Sequence, residues 1–274
     1  MKRVILKKVH IKRQRTPIAK SQKVTGSQHQ GIRLLNNGIL KRFDPSMLDL
    51  GDLSSPSKEI EAITAVFDLS GFTKFCSQAD AYLAIPKFLN DFLSWFFSKI
   101  RLGLTEVDDW GRSSFWAELP IMVKFLGDGI LLLWNARGMT ESQMCKIVAT
   151  LYDICYAYKH EFYPKISMAV NEPPGVLRCG VARGKVFSVG DGRDYVGHCI
   201  NNASRLSQLR LLSFCFPHRG FQVQEYMPDQ YYRIFVPKYV SIRGVGDNEL
   251  VWLVKEEFDR LPEKGKALFR NLDN

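Results

Sequence analysis

No acidic residue occurs before Asp44, although the 274-residue chain holds 28 of them. The first 43 residues carry 12 Lys or Arg instead, so this stretch is a basic arm and cannot build a core by itself. No apolar run approaches the roughly 18 residues needed to span a bilayer. The opening MKRVILKKVH is also too charged, and too short in its apolar part, for a secretory signal. The expectation is a cytoplasmic protein with no transmembrane segment. Cysteine is sparse, with six residues and no CxxC pair, which excludes a zinc ribbon and argues for reduced packing thiols over a disulfide framework. The five histidines are scattered without an HExxH spacing, so no metalloprotease pattern is present.

What is present suits an ordinary folded chain, with 46% hydrophobic and 24% charged residues. The length fits one domain of about 200 residues with an appendage. The net charge of +10 belongs to the arm, because the residues after it are close to neutral. We expect three parts: a basic, partly flexible N-terminal arm and lead-in over 1–60, a catalytic domain over 61–256, and a C-terminal tail over 257–274. The arm reads as a solvated tail, with contact to an acidic surface as the alternative. A nucleic-acid-binding role would also require stacking aromatics, and the arm has only Phe43.

The order of elements is read from periodicity. AITAVFD, Ala62 to Asp68, is a buried strand ending at SGFT. Ile85, Phe88, Leu89, Phe92, Trp95 and Phe96 recur at helical spacing and predict a helix over about 85–100. Residues 101–118 read as irregular. PIMVKFLGDGILLLWNA predicts a tight hairpin turning at Gly127-Asp128-Gly129. A second amphipathic helix follows over about 140–160, then a strand pair, VLRCGVA and KVFSVG, joined by Arg183-Gly184. A short helix near 200–210 and strands near 221–225 and 249–254 complete the chain. The string is βαββαβ, an α+β, ferredoxin-like order with an antiparallel sheet, to which the last strands add.

In that topology the first and third strands are neighbours. Asp68, at the end of one, and Asp128, at the hairpin tip, then converge, and two hard carboxylates suit Mg²⁺ or Mn²⁺. Taken singly, each Asp also reads as a turn former. Three runs together carry a resemblance: Phe67-Asp68-Leu69-Ser70-Gly71-Phe72-Thr73, Lys124-Phe125-Leu126-Gly127-Asp128-Gly129 and Ile200-Asn201-Asn202-Ala203-Ser204-Arg205-Leu206. Over about residues 60–255 the chain resembles the class III nucleotidyl cyclase catalytic domain. The resemblance implies a homodimer with active sites at the subunit interface. It also implies conversion of a nucleoside triphosphate to a 3′,5′-cyclic monophosphate and pyrophosphate, with two divalent metal ions, Mn²⁺ or Mg²⁺, per site. Asp68, Asp128 and the carbonyl of Leu69 would hold metal. Gly71, Phe72 and Thr73 would bind phosphate through backbone N–H groups. Asn201 would orient the ribose and Arg205 would meet transition-state charge, both from the other subunit, while Arg243 would touch the terminal phosphates.

Lys124 stands where the family's adenylate cyclases carry a base-reading Lys. Counting back seven from Asn201 lands on Asp194, the second base-reading position. Aligning Asp194-Tyr195 with the common bacterial dipeptide instead deletes two residues, and Asp194 becomes a plain turn residue. The shortened stretch, with Leu132 where the family usually has Ala, favours a one-ring base. Together with a chain that is almost only catalytic domain, this resembles the stand-alone pyrimidine cyclases of bacterial anti-phage (Pycsar-type) systems, which make cyclic UMP or cyclic CMP as a second messenger for a downstream effector. UTP or CTP is therefore the expected substrate. The alternatives are a stand-alone adenylate cyclase and a catalytically silent, nucleotide-binding module of the same fold.

Overall fold

A computed structural model describes residues 44–209 and 212–272; the basic stretch 1–43 lies outside the described residues. The sheet and its helices belong to the unit that begins at Leu48.

The apolar run starting at Ala62 forms the middle of β1 (Glu59–Ser70), which is buried on both faces and therefore central in its sheet. It is flanked antiparallel by β5 (Gly129–Asn135) and by β6 (Val176–Val189). With β4 (Met122–Phe125) outside β5, the inner order is β4-β5-β1-β6, the arrangement expected of βαββαβ. The sheet continues past β6 through β8 (Phe214–Pro217), β10 (Gly246–Val254), β9 (Phe235–Ile242) and β11 (Phe269–Arg270). β7 (Asp194–Val196) pairs with β6 off this path.

Helices α2 (Ala81–Gly103) and α3 (Glu141–Ala157) cover one face; α1 (Phe72–Cys76) is the short turn of helix after β1. In α2 every fourth residue from Ala84 to Ile100 is buried, the stripe that periodicity predicts. Thr140 and Gln143 close a reciprocal capping box at the start of α3. The chain then passes through a π turn (Tyr158–Phe162) into α4 (Tyr163–Ile166), with the buried Tyr158 hydroxyl donating to the Pro174 carbonyl at 2.5 Å. On the opposite face lies α5 (His198–Ser207), which buries Cys199, Ala203 and Leu206. Cys199 Sγ sits 3.4 Å from Thr64 Oγ1 of β1. All six cysteines are free thiols and five are buried.

Three expectations need correction. VLRCGVA and KVFSVG are one 14-residue strand, β6, with no turn between them. Arg183 is held extended by Glu61, Glu141 and the Gly220 carbonyl, and Gly184 stays in register with Ala62. The segment near 221–225 is not a strand, because Val223–Tyr226 closes a helical turn, α6, on the Gln222 carbonyl; β8 and β9 extend the sheet instead. Residues 101–118 are not wholly irregular, since β2 (Thr105–Val107) pairs with β3 (Ser113–Phe115).

The β4–β5 hairpin forms as the GDG sequence predicts. The Leu126 N–H donates to the Gly129 carbonyl at 2.8 Å, and Gly127 has φ +95°, the first central position of a II′ turn. Gly129 packs so closely on β1 that a Cβ there would sit 2.1 Å from the Phe67 carbonyl oxygen. Gly129→Ala must push the hairpin off β1. A loss of about 3 kcal/mol in urea unfolding is expected, at the upper end of overpacking costs; an unchanged midpoint would contradict this packing.

Candidate active site

Backbone pairing places the predicted metal-binding group. Asp68 lies opposite Gly129, and the Leu69 N–H donates to the Asp128 carbonyl at 2.8 Å, so the hairpin tip is tied to the end of β1. In an extended strand a residue's C=O points to the same side as its N–H. The Leu69 carbonyl is thus directed toward the tip that carries Asp128, while the Leu69 side chain is buried in the core. Asp68 is half-buried and Asp128 exposed. Burial pushes the Asp68 carboxyl above its ordinary pKa, the negative charge of Asp128 adds to this, and Arg178 opposes it. Arg178 is the cross-strand neighbour of Asp68 on β6.

Two carboxylates that repel each other beside a backbone carbonyl fit a hard divalent cation. Among the described residues no group of three or more His, Cys, Asp or Glu side chains is placed to hold a metal ion. A cation here would therefore need oxygens from water or a substrate phosphate, which is the habit of Mg²⁺. Gly71, in the left-handed region at φ 89°, turns the chain from β1 into α1. Behind it the first-turn N–H groups, those of Phe72 and Thr73 included, have no intrahelical acceptor.

Register also assigns faces. Lys124 pairs with Leu131, and Leu131 with Val66, two residues before Asp68. Side chains alternate along a strand, so Lys124 and Asp68 share the face on which α5 lies. Leu132 is one residue out of that set and is completely buried among the core side chains on the α2 and α3 side. The expectation that Leu132 narrows a base pocket is overturned, since it points to the other face.

Lys124 forms an ion pair with Asp194 at the start of β7. The Asp194 side chain is mostly buried, and its Oδ1 also accepts from the Tyr195 N–H at 2.8 Å. The residue that ungapped counting selects is therefore the one that meets Lys124. Asn201 and Arg205 lie one turn apart on α5, both exposed. Arg243 is exposed in the turn between β9 and β10. Among the described residues, no hydrogen bond or ion pair joins these three side chains to the carboxylates. Arg178 was not anticipated, because its nearness to Asp68 depends on β1–β6 register and not on any motif.

Solved structures share this architecture. A guanylyl cyclase crystal structure matches with TM-score 0.53 and 19% identity, covering 73% of this chain and 94% of its own. The adenylyl cyclase CyaB from P. aeruginosa matches with TM-score 0.52 and 14% identity, covering 73% and 96%. The fold is that of a class III nucleotidyl cyclase catalytic domain. A bacterial light-regulated adenylyl cyclase carries the same cyclase fold, with TM-score 0.50, 17% identity, and coverage of 81% of this chain and 60% of that one. By sequence, no protein-family model and no curated protein matches. In this cyclase fold the Asp68–Asp128 end and α5 share one sheet face, and no described helix is long and apolar enough to cross a membrane.

Proposed function

We propose that the chain is a nucleotidyl cyclase acting on ATP or CTP. The observation that carries the reading is the convergence of Asp68 and Asp128 across β1 and β5 in a cyclase fold, with burial and mutual repulsion disfavouring two bare negative charges. Divalent metal, when bound, would lower the pKa of the ribose 3′ hydroxyl and neutralise the triphosphate. The chain's own groups do the rest. Asp68, Asp128 and the Leu69 carbonyl would hold the ions, and Gly71 to Thr73 would receive phosphate oxygens. Arg243 would meet the terminal phosphates. Asn201 would orient the ribose, and Arg205 would face charge developing on the α-phosphate, a preorganised cation worth most in the transition state. Asn201 and Arg205 are exposed and unpaired among the described residues. This supports their serving the site of a second copy, in a homodimer.

The Lys124–Asp194 pair supports the choice of base. An ammonium donates and a carboxylate accepts. Adenine and cytosine both present an amino donor beside a ring-nitrogen acceptor, whereas guanine and uracil present a keto oxygen beside an N–H. The pair therefore suits ATP or CTP and disfavours GTP and UTP. With CTP the product would be cyclic CMP, the messenger that the antiviral reading requires for its effector. The double variant Lys124→Glu, Asp194→Asn reverses the donor and acceptor while keeping an oxygen for the Tyr195 N–H. Its ratio of kcat/KM for ATP over GTP is expected to fall about 10- to 100-fold, at 1–3 kcal/mol per discriminating pair. An unchanged ratio would remove Lys124 and Asp194 from base selection.

A further inference from the structure

The segment leading into β1 is fastened to the β6–β7 hairpin. Ser188, near the end of β6, is buried, and its N–H, carbonyl and hydroxyl all meet this segment. The N–H donates to the Lys58 carbonyl at 3.0 Å, the carbonyl accepts from the Ser57 hydroxyl at 2.7 Å, and Oγ accepts from the Lys58 N–H at 2.9 Å. At the hairpin turn the two backbones touch, since a Cβ on Gly190 would sit 1.8 Å from the Leu50 carbonyl oxygen. Asp49 reaches Arg193, the residue before Asp194, at 2.6 Å. That ion pair is exposed and adds little. The Ser188 bonds and the Gly190 contact are what fix the segment.

Among the described residues β7 has one strand neighbour, β6. Ser188 stands opposite Tyr195, and Val189 opposite Asp194, so whatever holds this end of β6 also sets where Asp194 stands relative to Lys124. We propose that residues 49–58 form a strap that positions Asp194 for base selection, with Ser57 and Ser188 as its positioning residues.

Position matters because a donor and an acceptor discriminate between bases only while both keep hydrogen-bond distance and angle. β7 is three residues long. Without the strap, Asp194 would stand on a two-stranded ribbon alone, and such ribbons are marginal in water. The strap itself stands on its contacts; its consequence for the base rests on the proposed reading of Lys124 and Asp194.

The test is the double variant Ser57→Ala, Ser188→Ala in the full chain, which removes two of the three bonds to Ser188 and leaves Lys124 and Asp194 in place. In hydrogen–deuterium exchange the amides of residues 194–196 should exchange about tenfold faster, with those of β5 unchanged. The ratio of kcat/KM for ATP over GTP should fall about fivefold or more, whereas a loss of folded protein alone would lower both substrates equally. Ser57→Thr, which keeps the hydroxyl, should match the native chain in both measurements. Exchange at 194–196 that is unchanged, or that rises equally in β5, overturns the strap. Faster exchange with an unchanged ratio overturns the positioning of Asp194 when Lys124→Glu, Asp194→Asn does shift the ratio. If neither variant shifts it, base reading by this pair has failed and the strap's part in base selection falls with it, while exchange still decides the strap itself.

Discussion

Asp68→Asn is expected to lower cyclase turnover by about a thousandfold or more, and to make the folded chain more stable at neutral pH. The first effect follows from losing one of the two carboxylates proposed to hold the ions. A thousandfold is about 4 kcal/mol of transition-state stabilisation, within what a bound metal supplies. The second follows from electrostatics in the metal-free site. Burial first, and the charge of Asp128 next, raise the Asp68 pKa in the folded state. The folded chain thus binds this proton more tightly than the unfolded chain, so stability falls as pH rises from the unfolded carboxylate value through the raised one. Above that window the ionised Asp68 is a standing cost, which a neutral amide of the same shape relieves. Differential scanning should show a higher Tm for the variant at pH 7.5 and a difference that shrinks towards pH 4. Mn²⁺ should raise the native Tm and leave the variant's unchanged. A variant that is both inactive and less stable would mean that Asp68 is a structural residue.

The second large effect concerns Arg205. Removing a preorganised cation from a phosphoryl-transfer site costs about 10²- to 10³-fold in kcat, and Arg205→Ala should do so with little change in stability, since the side chain is exposed on α5. The informative experiment mixes two inactive proteins, Asp68→Asn and Arg205→Ala. In a two-fold dimer whose sites each draw on both chains, a heterodimer places both defects in one site and leaves the other intact. Random exchange makes half the dimers heterodimers, so about a quarter of native activity should return. Recovery absent from heterodimers shown to have formed would mean that Arg205 serves its own chain's carboxylates.

The parts of the fold and site legible in the sequence are those fixed by local rules. β1 announces itself as an apolar run ending in a polar turn, α2 as an apolar stripe at helical spacing around Phe88, Phe92 and Phe96, and the hairpin as a Gly-Asp-Gly tip; β1 and the hairpin bring Asp68 and Asp128 together, and α2 covers the face behind them. What failed depended on context. Gly184 looks like a turn but lies mid-strand, because Arg183 is tied down on both sides and α5 packs over the glycine. Phe221 and Val223 alternate like a strand, but Phe221 is buried from the chain leading into a single helical turn and Val223 from its first residue. Leu132 was assigned to the wrong face by one residue, and in a strand one residue is the whole difference between core and site. Asp194 was reached by counting but not decided by it, and Arg178 was not reached at all. Each takes its place through pairing register, Asp194 by reaching Lys124 and Arg178 by facing Asp68, and register is set by the folded sheet.

The central claim is that this chain cyclises a nucleoside triphosphate at a site built on Asp68 and Asp128. Purified protein should be incubated with ATP, CTP, GTP and UTP separately, with Mn²⁺ or Mg²⁺, and the products identified by mass spectrometry. The expected result is a 3′,5′-cyclic monophosphate and an equal amount of pyrophosphate from ATP or CTP, neither appearing with Asp68→Asn or when the metal is chelated. No cyclic product from any of the four, or cyclisation undiminished in Asp68→Asn, would contradict it.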